Sequence, residues 1–277
     1  MHVTAGQLRT VRRDRLILRF GQLGPVAFIV GEIPDSGTAG TTLENSCVEP
    51  HWSIVLSGTL EVVRSDGPIA RVAAGQAFFV PAGQPPHSFR AERRVSAAGF
   101  VPLAPGGIDD EAVRKAGFEE VAESGWRPVL PAAREVTVAA GSAVVPIGRG
   151  AILADAALMG PWLYCQATFG GESGYTSRWC DLPHWGMVIA GTMAIEWENG
   201  IEIIGAGDAF YCPAGPPGHR FQVTDSATII DFTPVDGLRA GGRVAEWRPT
   251  LKAAQISRGR GPRPARRRAT SRARGTK

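Results

Sequence analysis

Two stretches of the chain place the same metal-binding residue types at the same spacing. One reads "CVEPHWSIVLSGTLEV" and begins at Cys47, and the other reads "CDLPHWGMVIAGTMAI" and begins at Cys180. In each stretch a His stands four positions after the Cys, at His51 and His184. Thiolate and imidazole groups both bind zinc and softer transition metals. The repetition indicates either a repeated metal site or a repeated piece of barrel architecture.

A second block recurs downstream of each stretch. "GQAFFVPAGQPPHSF" contains His87, and "GDAFYCPAGPPGHRF" contains His219. The offset between these copies equals that of the first block to within one residue. Four of the five His residues therefore stand at matched places, whereas of the four Cys residues only Cys47 and Cys180 match each other.

The remaining cysteines do not share this match. Cys165 aligns with Ile29 of the first copy, and Cys212 aligns with Val80. Because buried thiols pack as small apolar groups, we interpret both as core residues.

The elements around the two blocks are predicted to be short β-strands. β-Branched and aromatic residues follow each matched His, and a Gly stands inside each run, at Gly58 and Gly191. A Gly within a strand indicates a bulge or a close backbone approach. Asp-Gly at 66–67 and Asn-Gly at 199–200 then predict hairpin turns. Many short strands with regular turns favour an antiparallel barrel or jelly roll in each copy.

The charge of the 277-residue chain is unevenly distributed. The net charge is +4, but residues 258–277 contain eight Arg and one Lys and no acid, so the remainder of the chain is acidic. Such a segment has too few apolar residues to order itself, and we expect it to be a disordered tail. Its positive charge predicts weak, nonspecific contact with polyanions.

The compartment is inferred from what the sequence lacks. No apolar h-region follows the basic residues near the first Met, and no apolar run is long enough to cross a membrane. Four cysteines in a chain of this size do not indicate a disulfide framework. We expect a cytoplasmic protein with no membrane partner.

Taken together, the blocks make the chain resemble the cupin superfamily, and specifically a bicupin. The second cupin motif, Gly-x5-Pro-x-Gly followed by a His, is matched twice, at Gly75, Pro81, Gly83 and His87 and at Gly207, Pro213, Gly215 and His219. The resemblance covers roughly residues 20–102 and 158–236.

The first cupin motif keeps its spacing but changes its chemistry. Its pattern is His-x-His, a Glu a few residues later, and a Gly seven residues beyond that Glu. His51 and His184 take the place of the Glu, and Cys47 and Cys180 take the place of the second His. The place of the first His is taken by Asn45 in one copy. In the other copy it is taken by Arg178.

The resemblance implies an all-β fold of two cupin-type double-stranded β-helix barrels, that is, jelly rolls of the RmlC-like kind. We assign residues 1–107 to the N-terminal cupin domain and 158–240 to the C-terminal one. Residues 108–157 form a linker with lead-in strands and a short helix, predicted over 109–124 by the acids at its start. Residues 241–277 are assigned to a closing helix and the disordered basic tail.

The resemblance also implies the ligand sets. Carried over place by place, these are Cys47, His51 and His87 in the first barrel and Cys180, His184 and His219 in the second. A thiolate in place of a carboxylate favours a divalent transition metal such as Zn, Fe, Ni or Cu over Mg or Ca. The alternative is that the repeat only preserves barrel packing, with the matched His residues hydrogen-bonded in the core.

Four further residues are assigned by position. Asn45 and Arg178 are the expected ligand-binding residues, and their different chemistry predicts that the two cavities are not equivalent. Arg178 is either an anion-binding residue or a solvated residue at the rim. Trp52 and Trp185 alternate to the other face of their strands and are predicted to pack there.

Three functions stay open on this basis. The first is a metal-dependent enzyme acting on a small organic molecule, such as a dioxygenase or an isomerase. The second is a non-catalytic cupin that binds or senses a small ligand or a metal, and the third is polyanion binding through the Arg-rich tail. The expected partners are a small-molecule substrate or ligand and, in a homodimer, a second copy of the chain.

Overall fold

The architecture is that of two antiparallel β-barrels. The computed structural model describes residues 1–33, 41–42, 47–64, 67–83, 86–122, 145–149, 152–169 and 175–236. The predicted closing helix, the Arg-rich tail and Asn45 lie outside the described residues. No helix within the described ranges is long and apolar enough to cross a membrane.

Barrel one consists of two facing sheets. The strands are β2 (Arg9–Arg13), β3 (Leu16–Leu23), β4 (Val26–Ile33), β5 (Thr41–Thr42), β6 (His51–Ser57), β7 (Thr59–Arg64), β8 (Gly67–Ala73), β9 (Ala77–Val80), β10 (His87–Ala91), β11 (Val95–Pro102) and β12 (Glu119–Glu120). The larger sheet has the strand order β12-β2-β3-β4-β11-β6-β9, and the smaller has the order β5-β10-β7-β8.

Barrel two repeats this plan. The strands are β1 (His2–Val3), β13 (Val145–Arg149), β14 (Ile152–Met159), β15 (Trp162–Phe169), β16 (Tyr175–Thr176), β17 (His184–Trp197), β18 (Gly200–Gly205), β19 (Ala209–Cys212), β20 (His219–Val223) and β21 (Ala227–Pro234). One sheet has the strand order β1-β19-β17-β21-β15-β14-β13, and the C-terminal half of β17 pairs with β18 and β20. The all-β prediction with two jelly-roll barrels is confirmed.

The two strand glycines mark the bend at which the chain passes from one sheet to the other. Gly58 has φ +76° and Gly191 has φ +74°. A Cβ on Gly58 would lie 2.2 Å from the Arg94 carbonyl oxygen, and one on Gly191 would lie 1.9 Å from that of Ser226. Only Gly fits a backbone that bends this tightly against its neighbour. The strand pairing also shifts register two residues before each glycine, so the expected bulge and close approach are both present.

The barrels pack back to back through one apolar cluster drawn from both of them. At its centre Trp52 stacks on Trp162 with ring centroids 4.4 Å apart, and Trp185 meets Trp162 edge-on at 5.1 Å. Trp52 and Trp185 are buried there, so their predicted packing role is confirmed. Because β6 has the barrel interior on one face and this cluster on the other, most of its residues are buried.

The interface between the barrels contains the same contact twice, with the roles exchanged. Gly24 of barrel one, at φ +58°, lies so close to Tyr211 of barrel two that a Cβ would be 2.5 Å from its ring. Gly160 of barrel two, at φ +59°, lies against Phe79 of barrel one, where a Cβ would be 2.7 Å away. Such reciprocal contacts are the mark of a two-fold interface, here approximated within one chain.

The first strand of the chain, β1, belongs to barrel two, although the strands that follow it belong to barrel one. His2 and Val3 of β1 pair with Phe210 and Ala209 of β19 in barrel two. The Ala5 backbone N–H also donates to Asp208 Oδ1 at 2.9 Å. The segment 1–107 assigned to the N-terminal domain is thus not confined to barrel one.

The helix predicted over 109–124 is wrong in extent. Helix α1 covers only Asp110–Lys115, with Asp109 accepting the backbone N–H of Glu111 as its N-cap. Gly117, at φ +79°, ends it, and Glu119–Glu120 then pair with β2 as strand β12. The acidic residues of this segment bind Arg9 of β2, which favours pairing with that basic strand over continuing the helix.

Substituting Gly24→Ala tests the reciprocal contact. We expect a loss of about 2–4 kcal/mol in the free energy of unfolding, because the methyl group meets a Tyr211 ring that is itself stacked on Trp185. Gly75→Ala is the matched control: its φ is +82°, but nothing lies within 4 Å of a Cβ there. It carries only the backbone cost of about 1–2 kcal/mol. Equal losses in urea denaturation would show that the contact does not matter.

Candidate metal centres

In barrel one, backbone pairing brings the predicted ligands together. Cys47 and His87 form a bridge in which each backbone N–H donates to the other's carbonyl, at 2.8 and 2.9 Å. His51 is the first residue of β6. The Cys47 Sγ lies 3.2 Å from His51 Nε2, and the His51 and His87 ring centroids are 5.0 Å apart.

Barrel two repeats this geometry closely. Cys180 and His219 form the same two-bond backbone bridge, at 2.7 and 3.0 Å. The Cys180 Sγ lies 3.3 Å from His184 Nε2, and the His184 and His219 ring centroids are 5.2 Å apart. A Phe packs against both imidazoles in each barrel, Phe89 in the first and Phe221 in the second.

The donor atoms of each group are close enough for one ion. Within each set of three, the ligand atoms lie within 4.8 Å of one another. A tetrahedral zinc with Zn–S of about 2.3 Å and Zn–N of about 2.0–2.1 Å separates its sulfur and nitrogen ligands by about 3.5 Å. The observed Sγ–Nε2 distances are near this value, although a thiol–imidazole hydrogen bond has a similar length. The expected convergence of the Cys and His side chains, three in each barrel, is confirmed. Their binding of metal stays a prediction.

His219 supplies a second indication that the groups fit a metal. It is 0% exposed, and among the described residues neither of its ring nitrogens has a hydrogen-bond partner. Burying an imidazole without such a partner costs free energy. Coordination of an ion shared with Cys180 and His184 would satisfy one of these nitrogens.

Barrel two adds a carboxylate behind its central imidazole. The His184 Nδ1–H donates to Asp231 Oδ2 at 2.9 Å, and Thr233 Oγ1 lies 2.9 Å from the same nitrogen. The Thr233 hydroxyl in turn donates to Asp231 Oδ2 at 3.2 Å. Nδ1 of His184 is thus the donor to Asp231, and Nε2 is the ring nitrogen that faces Cys180 Sγ. This carboxylate–imidazole arrangement orients metal-binding histidines and raises their basicity.

The two barrels therefore place their central imidazoles in opposite electrostatic settings. Burial alone opposes the charged ring of His184, but Asp231 and Cys180 raise its pKa to about 10. In barrel one, burial together with the neighbouring His87 lowers the pKa of His51 to about 4. A metal that binds in barrel one meets a neutral His51 imidazole. A metal that binds in barrel two must displace a proton from the His184 imidazole.

The difference arises from an exchange of side chains between paired strand positions. In barrel one, Ser53 of β6 pairs with Gly99 of β11. In barrel two, Gly186 of β17 pairs with Asp231 of β21. A Cβ on Gly99 would lie 2.0 Å from Ser53 Oγ, and one on Gly186 would lie 2.2 Å from the Phe210 ring, so neither glycine has room for a side chain.

The other predicted site residues have separate positions. Arg178 is exposed, which favours the rim alternative, and its ligand-binding role stays a prediction. Cys212 is fully buried and Cys165 is partly buried against the core of barrel two, as expected for packing residues. Asp231 and Thr233 were not predicted as site residues from the sequence. Aligning "SAAGFVP" of β11 with "TIIDFTP" of β21 would have exposed both.

Comparisons with known proteins agree with this geometry at the level of the fold. No family model matches the chain, and no curated protein matches it in sequence. Among solved structures, AerE from Microcystis aeruginosa is similar at a TM-score of 0.56 and 12% identity, covering 82% of this chain and 98% of that one. An oxalate decarboxylase variant from Bacillus subtilis is similar at 0.60 and 11% identity, covering 84% and 77% respectively.

The fold is thus that of a bicupin, with two cupin barrels in one chain. A further match, at a TM-score of 0.59 and 12% identity, is to a Bacillus subtilis oxalate decarboxylase described for its Mn(II) centres. The Mn(II) centres are those of the Bacillus subtilis oxalate decarboxylase. For this chain, the Cys/His/His groups fit a divalent metal whose identity the fold leaves open.

Replacing Asp231 by Asn tests whether the carboxylate supports the second centre. We expect the affinity of barrel two for zinc to fall by about 10–100-fold, because Asn cannot hold His184 in the same charged hydrogen bond. The measurement is competition with a chromophoric chelator, in a Cys47→Ala background that isolates barrel two. Thr233→Val, which installs the residue type found at the matched Val101, keeps the Asp231 bond and should have a smaller effect. Unchanged affinity in Asp231→Asn would contradict the assignment.

Proposed function

We propose that the chain is a metal-dependent bicupin that acts on a small organic molecule, as an oxygenase or an isomerase does. Each Cys/His/His group would hold one divalent transition metal. Three protein ligands leave a coordination position for water or substrate, as in catalytic rather than closed structural sites. When bound, the metal would supply Lewis-acid or redox chemistry.

The observation that carries this proposal is the duplication of one unusual donor geometry. Both barrels hold a thiol within 3.3 Å of an imidazole nitrogen and a second imidazole beside it, at matched positions of the two barrels. Packing alone does not require a Cys at this place twice. It also does not account for the buried nitrogens of His219.

The donor set supports Zn, Fe, Ni or Cu. Thiolate and imidazole ligands suit these metals, whereas Mn is usually bound through more oxygen ligands. Among the described residues, neither group contains a carboxylate as one of its three members. The side chains of this chain would otherwise bind and orient the substrate and exclude water from the barrel.

The second candidate is a cupin that retains a metal or a ligand without catalysis. The closure of barrel two favours it, because His219 is fully buried and Asp231 and Thr233 fill the space behind His184. A bound metal with no exchangeable water would support this candidate over the first. Polyanion binding through residues 257–277 depends on a segment outside the described residues and stays a prediction.

Elemental analysis of the purified protein tests the proposal. We expect two metal equivalents in the wild type and one in each of Cys47→Ala and Cys180→Ala, since each substitution removes one of three ligands from one of the two groups. Cys165→Ala is the matched control, because this thiol lies outside both groups and should leave both equivalents. Less than about 0.1 equivalent of any transition metal in the wild type, even after reconstitution, would refute the proposal.

A further inference from the structure

Barrel one encloses a cavity that opens directly onto its Cys/His/His group. The cavity has a volume of about 270 Å³, and Cys47 and His51 form part of its wall. The other described residues of the lining are aliphatic and aromatic apart from Ser53 and Arg13. Its volume is close to the lower end of the range for small-molecule sites, about 300–1,000 Å³.

The cavity exists because the inward positions of two neighbouring strands carry small residues. Gly31 of β4 pairs with Ala97 of β11, and both line the cavity. At the matched pair of barrel two, Ala167 of β15 faces Ile229 of β21, and both are buried. Gly99, next along β11, is matched by Asp231. Two matched strands therefore differ in role, since β21 gives barrel two its carboxylate and β11 gives barrel one its space.

Arg13 is the one permanent cation among the described residues that line this cavity, and the strand register places it near one end of β11 and His51 near the other. Arg13 pairs with Leu16. Leu16 lies in one buried cluster with Ile33, which pairs with Val95 at the start of β11. His51 adjoins the opposite end of β11, because its neighbour Trp52 pairs with Phe100.

The Arg13 guanidinium is held in place by the segment after helix α1. It donates to the Ala116 carbonyl oxygen at 2.9 Å, and its central carbon lies 4.8 Å from the centre of the Phe118 ring. A guanidinium carries five N–H donors in a planar fork that matches a carboxylate. The bond to Ala116 uses one of them.

We propose that this cavity binds a small, largely apolar organic anion. The anionic group pairs with Arg13, the apolar body fills the space left by Gly31, Ala97 and Gly99, and the other end of the molecule faces Cys47 and His51. This inference names the substrate class of the proposed function and so rests on it. A small polar dianion would leave the apolar walls unfilled and is the wrong class for this barrel.

Binding of 2-naphthoate and of its neutral analogue 2-naphthamide, measured by calorimetry, tests the proposal. We expect the wild type to prefer the carboxylate by about tenfold, the size of one charge-assisted hydrogen bond. Arg13→Gln should abolish this preference while retaining the amide, which also shows that the variant is folded. Arg12→Gln is the matched control, because Arg12 lies on the same strand but is exposed and is not part of the lining.

A cavity-filling variant locates the site. Ala97→Ile installs the residue type of the matched Ile229 and should weaken both probes by about tenfold or more, since the branched side chain occupies their space. Equal binding of the two probes by the wild type, or undiminished binding by Ala97→Ile, would overturn the inference.

Metal content measured on the same samples separates the two proposals. Metal present without probe binding overturns only the ligand class. Probe binding without metal overturns the proposed function, because the cavity itself needs no ion to form.

Discussion

The two-bond backbone bridge between a Cys and a His, made once in each barrel, is the interaction on which the candidate centres depend. Cys47 with His87 and Cys180 with His219 are joined in this way. Backbone pairing fixes the two side chains on one face, and the strand that begins at His51 or His184 brings the third donor to the same point. The bend at Gly58 or Gly191 lets the next stretch of chain reach β10 or β20, which carry the second imidazole.

On this shared frame, the two barrels have diverged through a few inward positions. Ser53 and Gly99 in one barrel correspond to Gly186 and Asp231 in the other, and neither glycine has room for a side chain. Barrel two thereby gains a carboxylate that holds His184, and barrel one gains an apolar cavity beside His51. The back-to-back interface is less affected, because the contacts made by Gly24 and Gly160 remain reciprocal.

The sequence predicted the features that depend on local pattern and on the internal repeat. The role of the strand glycines followed from the local pattern, and the convergence of the Cys and His residues was implied by the resemblance to cupins. The crossover of β1 could not be predicted, since two residues carry too little pattern to identify their partner strand. The true end of helix α1 depends on Gly117 and on pairing of the acidic residues with Arg9, a contact that is distant in sequence. Asp231 was present in the sequence, but only its hydrogen bond to His184 on the neighbouring strand β17 gives it a role.

The central claim is that the thiol and the imidazoles bind one ion together, and X-ray absorption spectroscopy of zinc-loaded protein measures this directly. The account predicts one sulfur scatterer at about 2.3 Å and at least two nitrogen scatterers at about 2.0–2.1 Å per zinc. It also predicts that Cys180→Ala, which is expected to hold a single zinc in barrel one, keeps one sulfur scatterer for that zinc. Zinc bound with only nitrogen and oxygen neighbours would contradict it, because the thiols would then be packing groups beside the metal rather than ligands.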